Sequence, residues 1–329
     1  MRPAVLRDAV ADSDADAFVH VAADDPTRRY LVGSAGGPRR DAVVFADDDL
    51  ILCPAPGATP DFAGPVRAAS DAPPGERAVA ALDDRGVSGP VLAPESIPHG
   101  PAVRVESAGY ELAATDAVED ARAAKDDAER REVAAAGAAV VAGLDAARNA
   151  LADEPTAAAL RREVAVAVVR AGADPVDVTV SAPTEPPAPA DPITVRLCAA
   201  VAGYHAAADR TIVADPAGGW ERRAHVAAQG ALAGVKRQLD AGTTPAAARR
   251  EAVAELGAYG FEDVSAAVHG LGLARRERPV GGAEIAAGAV LAITLAATHA
   301  DAGTVRLGDT VVVGDETTTL TDASTALPP

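Results

Sequence analysis

Between Ala182 and Pro192, five of eleven residues are proline. Proline fixes φ and removes a backbone donor, so this stretch holds neither a helix nor a central strand. It divides the second half of the chain into a helix-patterned block and a strand-patterned one. Before it, the run from Asp116 to about Asn149, rich in Ala with interspersed Asp, Glu and Arg, reads as helix. A second helix is expected over Ala157 to Ala171, stopped by Gly172-Ala173-Asp174-Pro175. After it, strands are expected at Ile193–Cys198 and from Tyr204 to Val213, then helices from Trp220 to Leu239 and Ala246 to Tyr259. The tail reads as strands at Val290–Leu295, Gly303–Leu307 and Thr310–Val313.

The first 110 residues alternate short strand-like runs with turns: Ala17–Ala22, Arg29–Gly33, Asp41–Ala46 and Asp49–Cys53. The last two flank an Asp cluster and read as a hairpin. With 329 residues there is chain enough for two cores. The expectation is an α/β (α+β) protein with one domain over residues 1–115 and another over 116–329. The hydrophobic fraction of 49% comes mostly from Ala and Val, against one Trp, four Tyr and four Phe. Small side chains make cores with few large anchors, so packing has to be tight. Cys53 and Cys198 fall in different expected domains and read as buried small hydrophobes. There is no C-x-x-C, H-E-x-x-H, G-x-S-x-G or phosphate-loop pattern, and no cofactor is expected.

Several segments in one order carry a family resemblance. They are Arg122-Ala123-Ala124-Lys125-Asp126-Asp127-Ala128-Glu129, Ala208-Asp209-Arg210-Thr211, Asp240-Ala241-Gly242-Thr243-Thr244-Pro245, His269-Gly270-Leu271-Gly272-Leu273, Gly288–Thr294 and Val305–Thr310. Together they resemble the "pita-bread" superfamily of methionine aminopeptidases, prolidases, Xaa-Pro aminopeptidases and creatinase. The likeness covers about residues 116–329 well. The first 110 match loosely, through Asp25 to Gly33 and a creatinase-like N-terminal segment. Lys125 and Glu129, four apart, are expected on one face of the first helix of the second domain.

Active members of that superfamily hold two divalent cations with two Asp, one His and two Glu, which generate a hydroxide and polarise a carbonyl. Carried over residue by residue, the resemblance places the two Asp at Arg196 and Ala207, the His at His269, and the two Glu at Thr294 and Gly308. Four of these five positions hold no metal ligand. A further His of the family falls at Arg276. A guanidinium at Arg196 is the reverse of what coordination requires. The resemblance therefore implies a catalytically inactive homologue with no metal and no catalytic residue. Such a homologue would bind a peptide, a small carboxylate or a partner protein, with its old pocket lined by Arg196, Ala207, Asp209, His269, Arg276, Thr294 and Gly308. Each arginine would otherwise pair with a local acid such as Asp209 or Glu277. A homodimer, or a partnership with an active paralogue, is the implied assembly. The competing reading is a divergent hydrolase with a relocated single-metal site built from His205, Asp209 and His269.

The charge balance is 48 acidic against 30 basic residues, a net of −18, and only Lys125 and Lys236 are lysines. That sign excludes a general nucleic-acid footprint. No apolar run reaches the roughly 20 residues of a membrane span, and the N-terminal residues lack a signal-length apolar stretch, so a cytoplasmic protein is expected. Acid excess with scarce lysine is what molar salt favours, because at about 1 M the Debye length falls to about 3 Å and self-repulsion is screened. The melting temperature is accordingly expected to rise as KCl goes from about 0.1 to about 2 M, followed by circular dichroism. A flat or falling curve would remove the salt-adaptation reading.

Overall fold

The computed structural model describes residues 2–58, 61–151, 156–216 and 218–327. It divides into two compact units, Met1–Arg122 and Ala123–Pro329, with Met1 and Pro329 themselves outside the described residues.

The first unit contains α1 (Arg2–Ala11), β1 (Ala17–Ala22), α2 (Pro26–Val32), β2 (Asp41–Ala46), β3 (Asp49–Cys53), α3 (Pro74–Asp84), β4 (Val91–Ala93), α4 (His99–Ser107) and β5 (Leu112–Ala114). Its sheet runs β3-β2-β1-β4-β5, antiparallel among the first three strands and parallel from β1 through β5. Every residue of β1 and β2 is buried, the pattern of strands covered on both faces. The hairpin between β2 and β3 turns on Asp47 and Asp48, both in the left-handed region at φ 49° and 65°. A two-residue loop with that geometry matches strand twist, and Asp tolerates it.

The strand expected over Arg29–Gly33 is instead the helix α2. Local capping overrides the apolar run Tyr30-Leu31-Val32. The Asp25 carboxylate accepts from the Arg28 N–H, Pro26 occupies the first turn, and Gly33 closes the helix at φ 85°. Arg28, buried, then pairs with buried Asp41 at 2.7 Å, and Asp41 also accepts from the Ala55 N–H.

The single helix expected from Asp116 to Asn149 is broken. A short α5 (Ala117–Ala123) is followed by a bridge from Ala124 to Ala289, and α6 (Asp127–Ala150) starts afresh. Asp126 is its N-cap, in a reciprocal capping box with Glu129. Lys125 therefore precedes the helix and shares no helical face with Glu129. It pairs with Glu277 at 2.6 Å, both side chains almost fully buried, while Glu129 accepts from the Tyr204 hydroxyl at 2.8 Å.

From α6 onward the second unit repeats one order twice. The first pass is α6, α7 (Ala157–Arg170), β6 (Asp174–Ser181), β7 (Ile193–Val201) and β8 (Tyr204–Ile212). The second is α8 (Trp220–Gln238), α9 (Pro245–Ala258), β9 (Val264–Gly270), β10 (Val290–His299) and β11 (Gly303–Val312), with β12 (Thr318–Thr319) added beside β11. The strand order is β6-β7-β8-β11-β10-β9, so the halves meet between β8 and β11. The two strands expected at Gly303–Leu307 and Thr310–Val313 are one, because Gly308 and Asp309 continue the pairing with β10. Asp174-Pro175, expected only as a helix stop, opens β6. That strand lies at the sheet's edge and is bulged at Pro175/Asp177, where a proline is tolerated. On α6 the buried positions Val133, Ala136, Val140, Leu144 and Ala147 recur every three or four residues and turn one stripe to the sheet.

At the junction, β8 and β11 share a single paired register, Asp209 opposite Gly308. Side chains replace the missing ladder. The Thr310 hydroxyl accepts from the Ala207 N–H and donates to the Ala207 carbonyl, at 2.9 and 2.8 Å. Thr211 does the same for Arg306, at 2.6 and 3.0 Å. On the opposite face, the buried Arg210 guanidinium donates to Asp309 and to the Gly308 carbonyl, each at 2.6 Å. It also donates to the carbonyls of Asp209, Thr321 and Ala323. Lys236 of α8 meets the second Asp309 oxygen at 2.5 Å. Removing this guanidinium strips four carbonyls and one oxygen of buried Asp309 of their donor and leaves that carboxylate its ion pair with Lys236. Arg210→Met is therefore expected to lower unfolding stability by about 3–5 kcal/mol, read from denaturant midpoints. Thr310→Val, which removes one two-way hydroxyl, should lower it by about 1–3 kcal/mol.

Candidate functional site

Alternation along the strands sets the site. Arg210 and Asp309 point to the helix-covered face, where Lys236 of α8 reaches Asp309, so Asp209 and Gly308 point to the other. Across that face the register aligns Arg196, Asp209, Gly308 and Thr294 in one row over four neighbouring strands. One step along, His269 lies opposite Ala292. A pocket of about 110 Å³ opens here, with Arg196, Ala207, Asp209, His269 and Thr294 among its walls. Five of the seven residues singled out in the sequence thus line one cavity. Gly308 belongs to the row although it forms no wall. A Cβ on it would lie 2.6 Å from the Ile293 carbonyl and 3.2 Å from the Thr294 hydroxyl, which gives the glycine a packing reason.

Arg276 is a correction. It is exposed and is not a wall of the pocket; Arg275 takes that place and pairs with Asp177 at 2.6 Å. The pairing expected between Arg276 and Glu277 is absent because Lys125 holds the Glu277 carboxylate. The single-metal grouping also fails to assemble. His205 directs Nδ1 at the Gly272 carbonyl, 2.8 Å away, and no group of three or more His, Cys, Asp or Glu among the described residues has the arrangement of a metal site.

The residues that sequence reasoning missed are Arg306, Asp177, Arg275 and Cys198. Arg306 sits two residues before Gly308 on the same strand, hence on the same face, and Cys198 two after Arg196. Period-two spacing was the available signal for both. Asp177 belongs to β6, a strand whose Asp and Pro disguise it.

Asp209 is buried and held by Arg306 at 3.0 Å, with Arg196 at 4.0 Å. Asp177 has Arg275. Each wall carboxylate thus has one close guanidinium, and Arg196, its side chain 48% exposed, makes the pairing with Asp209 expected from the sequence only at 4.0 Å, so guanidinium groups outnumber carboxylates by one. His269 donates from Nδ1 to the Gly270 carbonyl at 3.0 Å. A carbonyl only accepts, so Nδ1 carries the proton and Nε2 is the acceptor of the neutral ring. Burial, with the Arg276 charge adding to it, holds the His269 pKa below the usual imidazole range. Burial pushes the Cys198 thiol up to about 11, which leaves it protonated and unreactive.

Residues 112–315 match the model of metallopeptidase family M24. The chain belongs to that family. Solved structures of similar fold include an Xaa-Pro dipeptidase from Bacillus anthracis, at 17% identity and a TM-score of 0.85 over 99% of this chain and 98% of that one. The dipeptidase PepE from Mycobacterium ulcerans aligns at 22% identity and a TM-score of 0.83, covering 99% and 96%. The N-terminal domain of the FACT complex subunit SPT16 from chickpea, Cicer arietinum, aligns at 15% and 0.76, covering 99% and 96%. No curated protein matches. No helix among the described residues is long and apolar enough to cross a membrane.

Membership of a metallopeptidase family implies a metal, and the residues of this pocket do not fit one. Arg196 brings a permanent cation, Ala207 and Gly308 have no donor atom, and Asp209 is already committed to Arg306. Substituting the glycine of the row is expected to disturb β10. Gly308→Ala should lower stability by about 1–3 kcal/mol in chemical denaturation, because the clash is with backbone rather than a flexible side chain.

Proposed function

We propose that this protein is a catalytically silent member of family M24 whose pocket binds the carboxylate of a peptide or small organic acid. The observation that carries the reading is the surplus guanidinium. Arg275 and Arg306 neutralise Asp177 and Asp209, so Arg196 faces the pocket with only a 4.0 Å approach to an already matched acid. A planar, always-charged fork suits a carboxylate, which it can meet with two parallel bonds. Activating water in the family's manner would require cations in a place where this chain presents a cation of its own. The loss of the metal ligands at Arg196, Ala207, Thr294 and Gly308 belongs to this proposal.

The pocket's remaining chemistry supports the same reading. Among the described residues no carboxylate orients His269, whose Nδ1 proton is spent on the Gly270 carbonyl, and the one wall thiol, Cys198, stays protonated. The structural neighbours include both peptidases and a subunit of the FACT complex, which supports a fold serving more than one role.

Purified protein supplied with manganese, cobalt or zinc is expected to retain no stoichiometric metal and to leave an Xaa-Pro dipeptide uncleaved, by elemental analysis and chromatography. Acetate and propionate should bind in calorimetry, and Arg196→Met should abolish that binding. Chelator-sensitive hydrolysis would overturn the proposal.

A further inference from the structure

The pocket's two ends differ in what they offer. At one end, on β7, stands Arg196, whose nearest acid, Asp209 at 4.0 Å, is held more closely by Arg306. At the other, on β9 and β10, stand His269 and Thr294, diagonal neighbours across the strand pair because His269 faces Ala292. The Nδ1 proton of His269 is used on Gly270, so the neutral ring presents an acceptor at Nε2. No partner for Nε2 or for the Thr294 hydroxyl is found among the described residues. The wall between the two ends includes the apolar side chains of Ala207, Leu271 and Ala292.

The register gives the scale. Arg196 and His269 are separated by β8, β11 and β10, four steps of about 4.8 Å, or about 19 Å between Cα atoms. Both side chains border the same pocket, and once their own lengths are taken from that span, what is left for a ligand is on the order of two extended residues, at about 3.5 Å each. A ligand bridging it carries its acid group at one end and a hydrogen-bond donor a few bonds away.

The charge balance decides what that donor is. Three guanidinium groups, of Arg196, Arg275 and Arg306, face the two carboxylates of Asp177 and Asp209, and both carboxylates are matched. An ammonium would enter a region with a surplus positive charge and meet no free acid. A secondary amide N–H carries no such charge and satisfies the His269 acceptor.

We infer that the pocket reads the acid end of an N-blocked amino acid or short peptide, taking the carboxylate on Arg196 and a neutral amide N–H on His269, and that it rejects ligands with a free amino group. This rests on the carboxylate reading above and adds the identity of the second contact. An N-acylated amino acid and the C-terminal end of a longer peptide share the chemistry, and the length of the ligand separates them.

The test is calorimetric titration of the intact protein with propionate, alanine, N-acetylalanine, alanyl-alanine and N-acetyl-alanyl-alanine at one ionic strength and at pH about 8, where the imidazole is neutral. N-acetylalanine or its dipeptide counterpart should bind about tenfold more tightly than the free-amine ligand of equal length. The tighter of the two blocked ligands tells amino acid from peptide end. His269→Ala should remove the preference for blocked over free-amine ligands, so that the two classes bind alike. A shift of the His269 Nε2 nitrogen resonance on adding blocked ligand to the unmodified protein gives the same reading without a substitution. Equal affinity for blocked and free-amine ligands, or an unmoved Nε2 resonance on saturation, overturns this inference alone. Absence of binding by every carboxylate, propionate included, overturns the carboxylate reading itself.

Discussion

The second unit stands on one buried cation. Two sets of strands that share a single register pair would form a weak seam if backbone hydrogen bonds alone held them. Arg210 closes that seam from the helix side by binding a carboxylate and four separate carbonyls. Thr211 and Thr310 close it from the pocket side, each hydroxyl serving one N–H and one C=O of the facing strand. The arrangement is two-fold in character: an Arg-Thr pair on β8 faces an Asp-Thr pair on β11. A duplicated helix-helix-strand order generates such symmetry, and the seam is where the two copies have to recognise each other.

This seam puts framework and pocket on opposite faces of the same two strands. Adjacent strand residues point to opposite faces, so Arg210 and Asp309 are framework while Asp209 and Gly308 border the pocket. Side-chain chemistry on the pocket face and the ion pair on the helix face are therefore carried by neighbouring residues, although Gly308 also serves the framework, through its carbonyl and its close packing on β10. Lys125 illustrates the same economy, since it and Glu277 are buried together as a clamp apart from the pocket walls.

Much of this was legible in the sequence, and the failures have physical causes. β1, β2, β3 and α8 follow the hydrophobic periods closely, and five site residues converge because a motif order carries register information that spacing alone does not. α2 was hidden because its seven residues contain an apolar triplet, while its identity lies in the caps at Asp25 and Gly33. The break before α6 was hidden because Ala-rich sequence favours helix throughout 116–149 and the interruption is imposed by strand pairing to Ala289, a contact 165 positions away in the chain. Edge strand β6 lacks the continuous apolar run of a buried strand, as its half-exposed alternation shows. Arg276 was expected at the pocket from the family resemblance alone, and a loop after β9 obeys no period from which it could be seen that Arg275 lines the pocket instead.

The last described segment has a consequence for how the chain is made. Arg210 donates to carbonyls of Thr321 and Ala323, Arg148 to those of Ser324 and Ala326, and His225 to that of Thr325. These acceptors are translated long after their donors, more than a hundred positions later for Arg210. The N–H groups of Arg210 that serve Thr321 and Ala323 therefore find their acceptors only once those later residues have been made, so the seam between the two copies is fastened by a segment far from it in the order of synthesis.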